Sequence, residues 1–120
     1  MRKTKITNAG MMKIQKLINL RKLDLSDNSL TDACLALLRH LKNLTALDIS
    51  STKFTNLGLI HLKHFPDLKV LDISNTKVDE FGATHFKQLS SLRFVKAYKT
   101  KIEGGVSLIR MHNPKISIEY

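Results

Sequence analysis

The chain has 120 residues, of which 42% are hydrophobic and 25% charged, with 5 Gly and 2 Pro; this describes a globular protein and excludes the disordered and collagen-like classes. Its single cysteine, Cys34, excludes an internal disulfide and a cysteine-built zinc or iron–sulfur framework, and no run of 18 apolar residues is present to span a membrane. The formal charge is +10: seven basic residues and no acid lie in 1–22, the balance is −2 over 23–80, and it is +5 over 81–120, an asymmetry that bears on partners and solubility and not on fold.

The chain opens on Thr4-Lys5-Ile6-Thr7-Asn8, a turn leading into a helix, with no strand before it. The first strand is predicted at Leu23-Asp24-Leu25-Ser26, where Leu-x-x-Leu-x-Leu alternates as a short strand with one buried face does. A turn rich in Ser, Asn and Asp follows, and Thr31 stands where a helix N-cap is wanted, ahead of Leu35, Leu38 and Leu41 at helical spacing. The cycle then starts again. Leu47-Asp48-Ile49-Ser50 and Leu71-Asp72-Ile73-Ser74 repeat the strand at an offset of 24. The same shift carries Leu20 to Leu44, Leu68 and Leu92, and Thr52 to Thr76 and Thr100. Thr55 and Asp79 are the next N-caps, and Leu59, Leu62 and Phe65 the next helix face. Gly10, Gly58 and Gly82 share one slot with Cys34. The fourth strand, Phe94-Val95-Lys96-Ala97-Tyr98, breaks the Leu-Asp-Ile-Ser pattern. The helix after it, around Gly104-Gly105-Val106, slips by about one residue before Asn113-Pro114 restores the register, and a fifth strand is predicted at 116–119. A unit of strand, turn, short helix and turn cannot bury its own apolar face, so units stack and share one core.

The pattern L-x-x-L-x-L-x-x-[N/T]-x-h-T-D-x-G-L-x-x-L, closest at residues 20–32, resembles the leucine-rich repeat family. The 24-residue length and the T-D-x-G-L element are most similar to the short repeats of GALA-type bacterial effectors and of F-box proteins. No F-box segment precedes the repeats, so a ubiquitin-ligase adaptor role is not carried over. The resemblance implies an α/β fold: a right-handed leucine-rich repeat solenoid with short parallel strands on its concave face and short helices on its convex face. Residues 1–120 would form a single domain of about five 24-residue units, the first without its strand and the last irregular. Thr52, Thr76 and Thr100 stand where the family's turn ladder usually has Asn; a hydroxyl is kept and an amide donor lost, so a looser ladder is expected there. Neither end carries a polar capping module, which leaves either Lys and Arg to solvate the ends or an end that docks on another chain.

Side chains at i and i+2 share a strand face. With Leu23 and Leu25 inward, three outward columns are expected across the sheet: Lys22, Ala46, Val70, Phe94, Ile118; then Asp24, Asp48, Asp72, Lys96, Tyr120; then Ser26, Ser50, Ser74, Tyr98. Val70, Phe94 and Tyr98, with Lys96 and Lys99 beside them, form a small exposed patch of the kind that anchors partners; packing against the last unit as an end cap is the competing explanation. Neighbouring Asp side chains about 4.8 Å apart repel by roughly 0.8 kcal/mol in water. The stripe either bonds neighbouring hydroxyls such as Ser26 or attracts a basic ligand. The candidate partner-binding residues are therefore Asp24, Asp48, Val70, Asp72, Phe94, Lys96, Tyr98 and Lys99.

His40, His64 and His112 share a slot at helix C-termini, where a polar or positive group suits the helix dipole; His61 and His64 are three apart and lack a third metal ligand. Cys34 has no base tied to it by any motif, and no phosphate-binding Gly loop, nucleophile elbow or catalytic carboxylate pair is present. No catalysis, cofactor or metal is expected. The favoured function is a protein–protein interaction module, an effector or adaptor, that binds its partner on the concave sheet. One alternative is polyanion binding, to nucleic acid or an acidic membrane surface, through the basic terminal repeats. The absence of Trp and the scatter of basic residues over several repeat slots count against it. The other alternative is a scaffold that self-associates through uncapped ends. The basic start, Met1-Arg2-Lys3-Thr4-Lys5, has no apolar signal segment, so a cytoplasmic or effector-delivered location is expected.

Overall fold

The computed structural model describes residues 6–120; Thr4, Lys5 and the other residues before Ile6 lie outside the described part. Five strands, β1 (Lys22–Asp24), β2 (Ala46–Asp48), β3 (Val70–Asp72), β4 (Phe94–Lys96) and β5 (Ser117–Glu119), form one sheet in chain order. Every neighbouring pair is parallel. Helical segments connect them: α1 (Asn8–Ile14), α2 (Asp32–Leu37), α3 (Asn56–Leu59) running on as a 3-10 helix over Ile60–His64, a 3-10 helix over Glu80–Gln88, and α4 (Val106–His112) entered through a 3-10 turn at Glu103–Gly105. Each helical segment packs on those of its neighbours, and the core lies between them and the sheet as one apolar cluster. Leu23, Leu47, Leu71, Val95 and Ile118 line it from the strands, and Leu35, Leu38, Leu59 and Leu62 from the helices. This is the α/β repeat architecture expected from the alternating periodicities.

Helix type goes with apolar spacing in the third, fourth and last units, whereas α2 is α-helical although Leu35, Leu38 and Leu41 also recur every three residues. Leu59, Leu62 and Phe65, and again Ala83, Phe86 and Leu89, recur every three residues. A 3-10 helix has three residues per turn and so aligns them in one row, and both rows are buried. In the last unit the buried residues are Val106, Ile109 and Asn113, spaced three and four. That is α spacing, and the segment is α-helical. Volume is exchanged within a row as well: Ala83 takes a leucine slot where Phe86 takes the next, which keeps the packed volume nearly constant.

The predicted N-caps Thr31, Thr55 and Asp79 are all N-caps, and Thr7 is a fourth. The Thr55 side chain accepts from the Leu57 N–H at 3.2 Å and Asp79 from the Phe81 N–H at 3.0 Å. The caps are also tied from unit to unit. Asp32 accepts from the Thr55 N–H at 2.8 Å and from its hydroxyl at 2.6 Å, and Asn56 donates to Asp79 at 2.6 Å. Gly58 makes room for the first of these links. A Cβ there would stand 2.5 Å from the Asp32 Oδ1 that Thr55 holds. The T-D-x-G spacing thus encodes a contact between repeats.

In the turn ladder, Thr52, Thr76 and Thr100 each donate to the carbonyl three residues back, at 2.6, 2.7 and 2.7 Å. Asn28 donates to two carbonyls and also accepts from the Ile6 N–H of the preceding unit. The threonines keep the bond within the turn; the amide adds the bond between units.

Two residues of the expected columns are corrected. Ser117, not Ile118, pairs with Phe94, and Glu119, not Tyr120, pairs with Lys96. Ile118 faces the core. Where earlier units read Leu-x-x-Leu, as in Leu92 to Val95, the last reads Ile116-x-Ile118. One residue is missing, and burial of both isoleucines sets the register.

Candidate functional site

The outward sheet face is built by side chains that the core does not use. Asp24, Asp48 and Asp72 stand side by side on adjoining strands, as do Val70 and Phe94, and Asp72 and Lys96. Each aspartate turns an oxygen back into its own chain. Asp24 accepts from the Ser26 N–H and hydroxyl at 2.9 and 2.6 Å, Asp48 from Ser50 at the same distances, and Asp72 from the Ser74 N–H at 3.0 Å. The structure thus supports the first of the two explanations for the stripe, a hydrogen-bonding role at the strand exit. The next residue in each unit, Asp27, Ser51, Asn75 and Lys99, has a left-handed backbone, with φ between 53° and 59°. The carboxylate bonds brace the chain just before that bend.

Around Phe94 the pattern changes. Lys96 replaces the aspartate, and its Nζ lies 5.9 Å from the Phe94 ring centroid, within cation–π reach. Tyr98 replaces the serine and is 45% exposed, and Val70 is 40% exposed. The Tyr98 N–H donates to Ser74 Oγ at 3.0 Å, which locks the strand end to its neighbour. The Tyr98 phenol is hydrogen-bonded to the Glu119 carboxylate, which raises its pKa above the ordinary value; partial desolvation and the charges of Glu119 and Asp72 push the same way. Glu119 was missed from sequence because the 24-residue offset put Ile118 and Tyr120 in the outward columns, one residue late, although the strand itself was expected at 116–119. The shortened Ile116-x-Ile118 spacing was the available signal.

A shallow hollow of about 420 Å³ lies on this face, lined by Lys22, Asp24, Ala46, Asp48, Val70, Asp72 and Lys96 together with Leu23 and Leu47. Ala46 stands between Lys22 and Val70 in its column, so its short side chain forms the floor. Seven of the eight candidate residues are gathered here or at its edge. Lys99 is not: it lies on the turn side of the stack, lining a groove with Lys77 and Lys101. A somewhat larger groove, about 500 Å³, also runs along the turn side between Asp27, Ser51 and Asn75. Its lining is Asp, Asn, Ser, Thr and Lys throughout, without an apolar anchor.

A family model for leucine-rich repeats matches residues 18–78 and 42–97. The chain belongs to the leucine-rich repeat family. Among solved structures, a chain from the structure of Chaetomium Mex67:Mtr2 subunits is similar, with a TM-score of 0.69 and 15% identity, covering 94% of this chain and 89% of that one. At that identity the likeness shows the fold alone. No curated protein matches the sequence. Leucine-rich repeat domains generally serve as protein-interaction modules and are typically non-enzymatic; stacked repeats present extended surfaces for recognition.

Cys34 is half-buried beside the core. The His61 and His64 rings stack with centroids 6.4 Å apart. Burial, followed by the charges of Lys63, His61, Arg39 and Lys42, lowers the His64 pKa. Among the described residues, no group of three or more His, Cys, Asp or Glu gathers as a metal site, and no helix is long and apolar enough to cross a membrane.

Proposed function

We propose that this leucine-rich repeat chain is a non-catalytic protein-binding module, one domain over residues 1–120, curved as a right-handed solenoid with its sheet on the concave side. The partner occupies that sheet. An apolar group of the partner enters the hollow over Ala46 and packs on Val70 and Phe94, and a basic group meets Asp48 and Asp72. Lys96 and Tyr98 close the site on the C-terminal side.

One observation carries this reading. The repeat consensus breaks at Phe94, Lys96 and Tyr98, on the outward face, where the core makes no demand. Val95, the inward residue between Phe94 and Lys96, keeps its apolar role. Aromatic residues ringed by charge are the residue types that dominate binding energy. The end-cap explanation is weaker, because Tyr98 remains 45% exposed beside β5. The test is affinity capture from a native lysate treated with nuclease, then titration of the captured protein against Phe94→Ala/Tyr98→Ala. Loss of about tenfold or more in affinity, the size of a hot-spot truncation, is expected. Unchanged affinity in the folded double variant rejects the site.

A further inference from the structure

The positive charge of this protein is sorted by position within the repeat, and not only along the chain. The segments 13–22, 37–46, 61–70, 85–94 and 109–118 run from the second half of each helix to the start of the next strand. They hold twelve of the 20 Lys and Arg, all 5 His, and one of the 10 acids, Asp67. Twelve against one is +11; the rest of the chain has eight cations against nine acids, or −1. In sequence these cations occupy several slots and look scattered. Stacking brings the slots together on one rim. Its rungs are tied by hydrogen bonds from Thr45 N–H to the Arg21 carbonyl, Lys69 N–H to Thr45, Arg93 N–H to Lys69 and Ser117 N–H to Arg93, at 2.7 to 2.9 Å.

Helix dipoles explain part of the sorting, since cations in a last helical turn are stabilised by about 0.3–1 kcal/mol. They do not explain Arg21, Lys42, Lys69, Arg93 and Lys115, which lie beyond the helix ends. Two arginines are held in place: Arg39 donates to the Ala36 carbonyl at 3.1 Å, and Arg93 to the Ser90 and Leu92 carbonyls at 2.8 and 2.9 Å. Lys63, Arg39 and Lys42, from two neighbouring units, lie close enough to His64 for their charges to act on it.

From this geometry we infer that the helix-exit rim binds duplex nucleic acid through its phosphates. A linear polyanion meets every rung at once and gains from release of its counterions at each one. The large apolar side chains exposed on the rim stand mainly at its ends, Leu17 and Ile18 at one and Met111 at the other, so the middle rungs have few wedges to enter a membrane. Phe81, Tyr98 and Tyr120 lie off the rim, and Phe94, half-buried at the start of β4, has the Lys96 ammonium over its ring on the sheet side, so the rim has no row of aromatics to stack the bases of a single strand. Recognition is independent of base sequence, because no element of the rim is a helix long enough to read a groove. This surface adjoins the sheet hollow and shares Lys22 with it, but the rim cations substituted below, Arg39, Lys63 and Lys87, line no part of that hollow, so the two readings are tested separately.

The test compares two triple variants of equal charge in the full chain. Arg39→Ala/Lys63→Ala/Lys87→Ala removes one exposed cation from each of three rim rungs. Lys53→Ala/Lys77→Ala/Lys101→Ala removes three exposed cations of one shared slot on the opposite, turn rim. Circular dichroism checks folding, and Arg39→Gln/Lys63→Gln/Lys87→Gln replaces the first triple if it does not fold. A labelled DNA duplex of about 20 base pairs is titrated by fluorescence anisotropy between roughly 50 and 200 mM salt. The expected results are binding by the native chain, a loss of about tenfold or more at low salt in the rim variant, and a salt slope shallower by about 2 to 3. The turn-rim variant should change by less than about threefold. No binding by the native chain, or equal losses in both triples, overturns the proposal. So does tighter binding to a single strand of the same length. Binding to phosphatidylserine vesicles without binding to the duplex overturns it in favour of a membrane.

Discussion

The middle units and the last unit solve one packing problem with different residue counts. From Gly58 to Phe65 and from Gly82 to Leu89 the chain spends seven residues, largely as 3-10 helix. From Gly105 to Asn113 it spends eight, and they are α-helical. The α-helix rises less per residue, so the longer segment spans about the same distance. The last unit recovers the extra residue elsewhere. It drops the N-cap, so that Ile102 fills both the apolar slot of Val78 and the cap position of Asp79, which restores the offset of 24 by Asn113; one further residue is then lost between Ile116 and Ile118. What persists between units is the set of buried rows, not the count of residues. Asn113 shows the limit of this rule. It is buried where other units carry Leu41, Phe65 and Leu89, and it stays there because its amide donates to the Leu92 carbonyl at 2.8 Å.

Substitutions test how far the middle units and the last unit differ. The largest effect is expected in the matched helix row. Leu62→Ala, packed between two neighbouring units, should cost about 2–5 kcal/mol by urea denaturation. Ile109→Ala, in the same row with a neighbour on one side only, should cost less. Equal costs would mean that the last unit is as well supported as the middle. Next is the link between caps. Gly58→Ala forces a methyl group against Asp32 and should cost about 1–3 kcal/mol. Asp32→Ala/Gly58→Ala should cost less than the sum of its singles if that contact is the cause, which a double-mutant cycle checks. Smaller still is the left-handed turn residue. Ser51→Gly and Lys99→Gly relieve a backbone strain of about 1–2 kcal/mol and return part of it as unfolded-chain entropy, so thermal midpoints should rise slightly in the middle unit and in the last alike.

The smallest effect is a titration. The Tyr98 pKa is raised in the folded protein by Glu119. A raised folded value means that this contact stabilises the fold below the ordinary tyrosine pKa of about 10 and that the contribution is lost as pH rises through the folded value. Phenolate absorbance in Glu119→Gln should show one tyrosine titrating at lower pH than in the native chain. An unmoved titration would remove the Tyr98–Glu119 bond from the description of the site.

Much of this molecule was legible in its residues. An offset of 24 and the Leu-x-Leu alternation determine the parallel sheet, the alignment of Asp24, Asp48 and Asp72, and the caps at Thr31, Thr55 and Asp79, because each follows from contacts within one unit or between identical neighbours. Three things were decided only in the stack. Glu119 reaches Tyr98 because burial of Ile116 and Ile118 outweighs the repeat length in setting the last strand. Asp32 and Gly58 meet although they are 26 positions apart. Cations from different slots share one rim because only stacking shows which slots face the same edge. Periodicity is a property of nearest neighbours along the chain and between equivalent positions, and a sequence carries it openly; register at an irregular end and the charge of an edge depend on which surfaces come together in space.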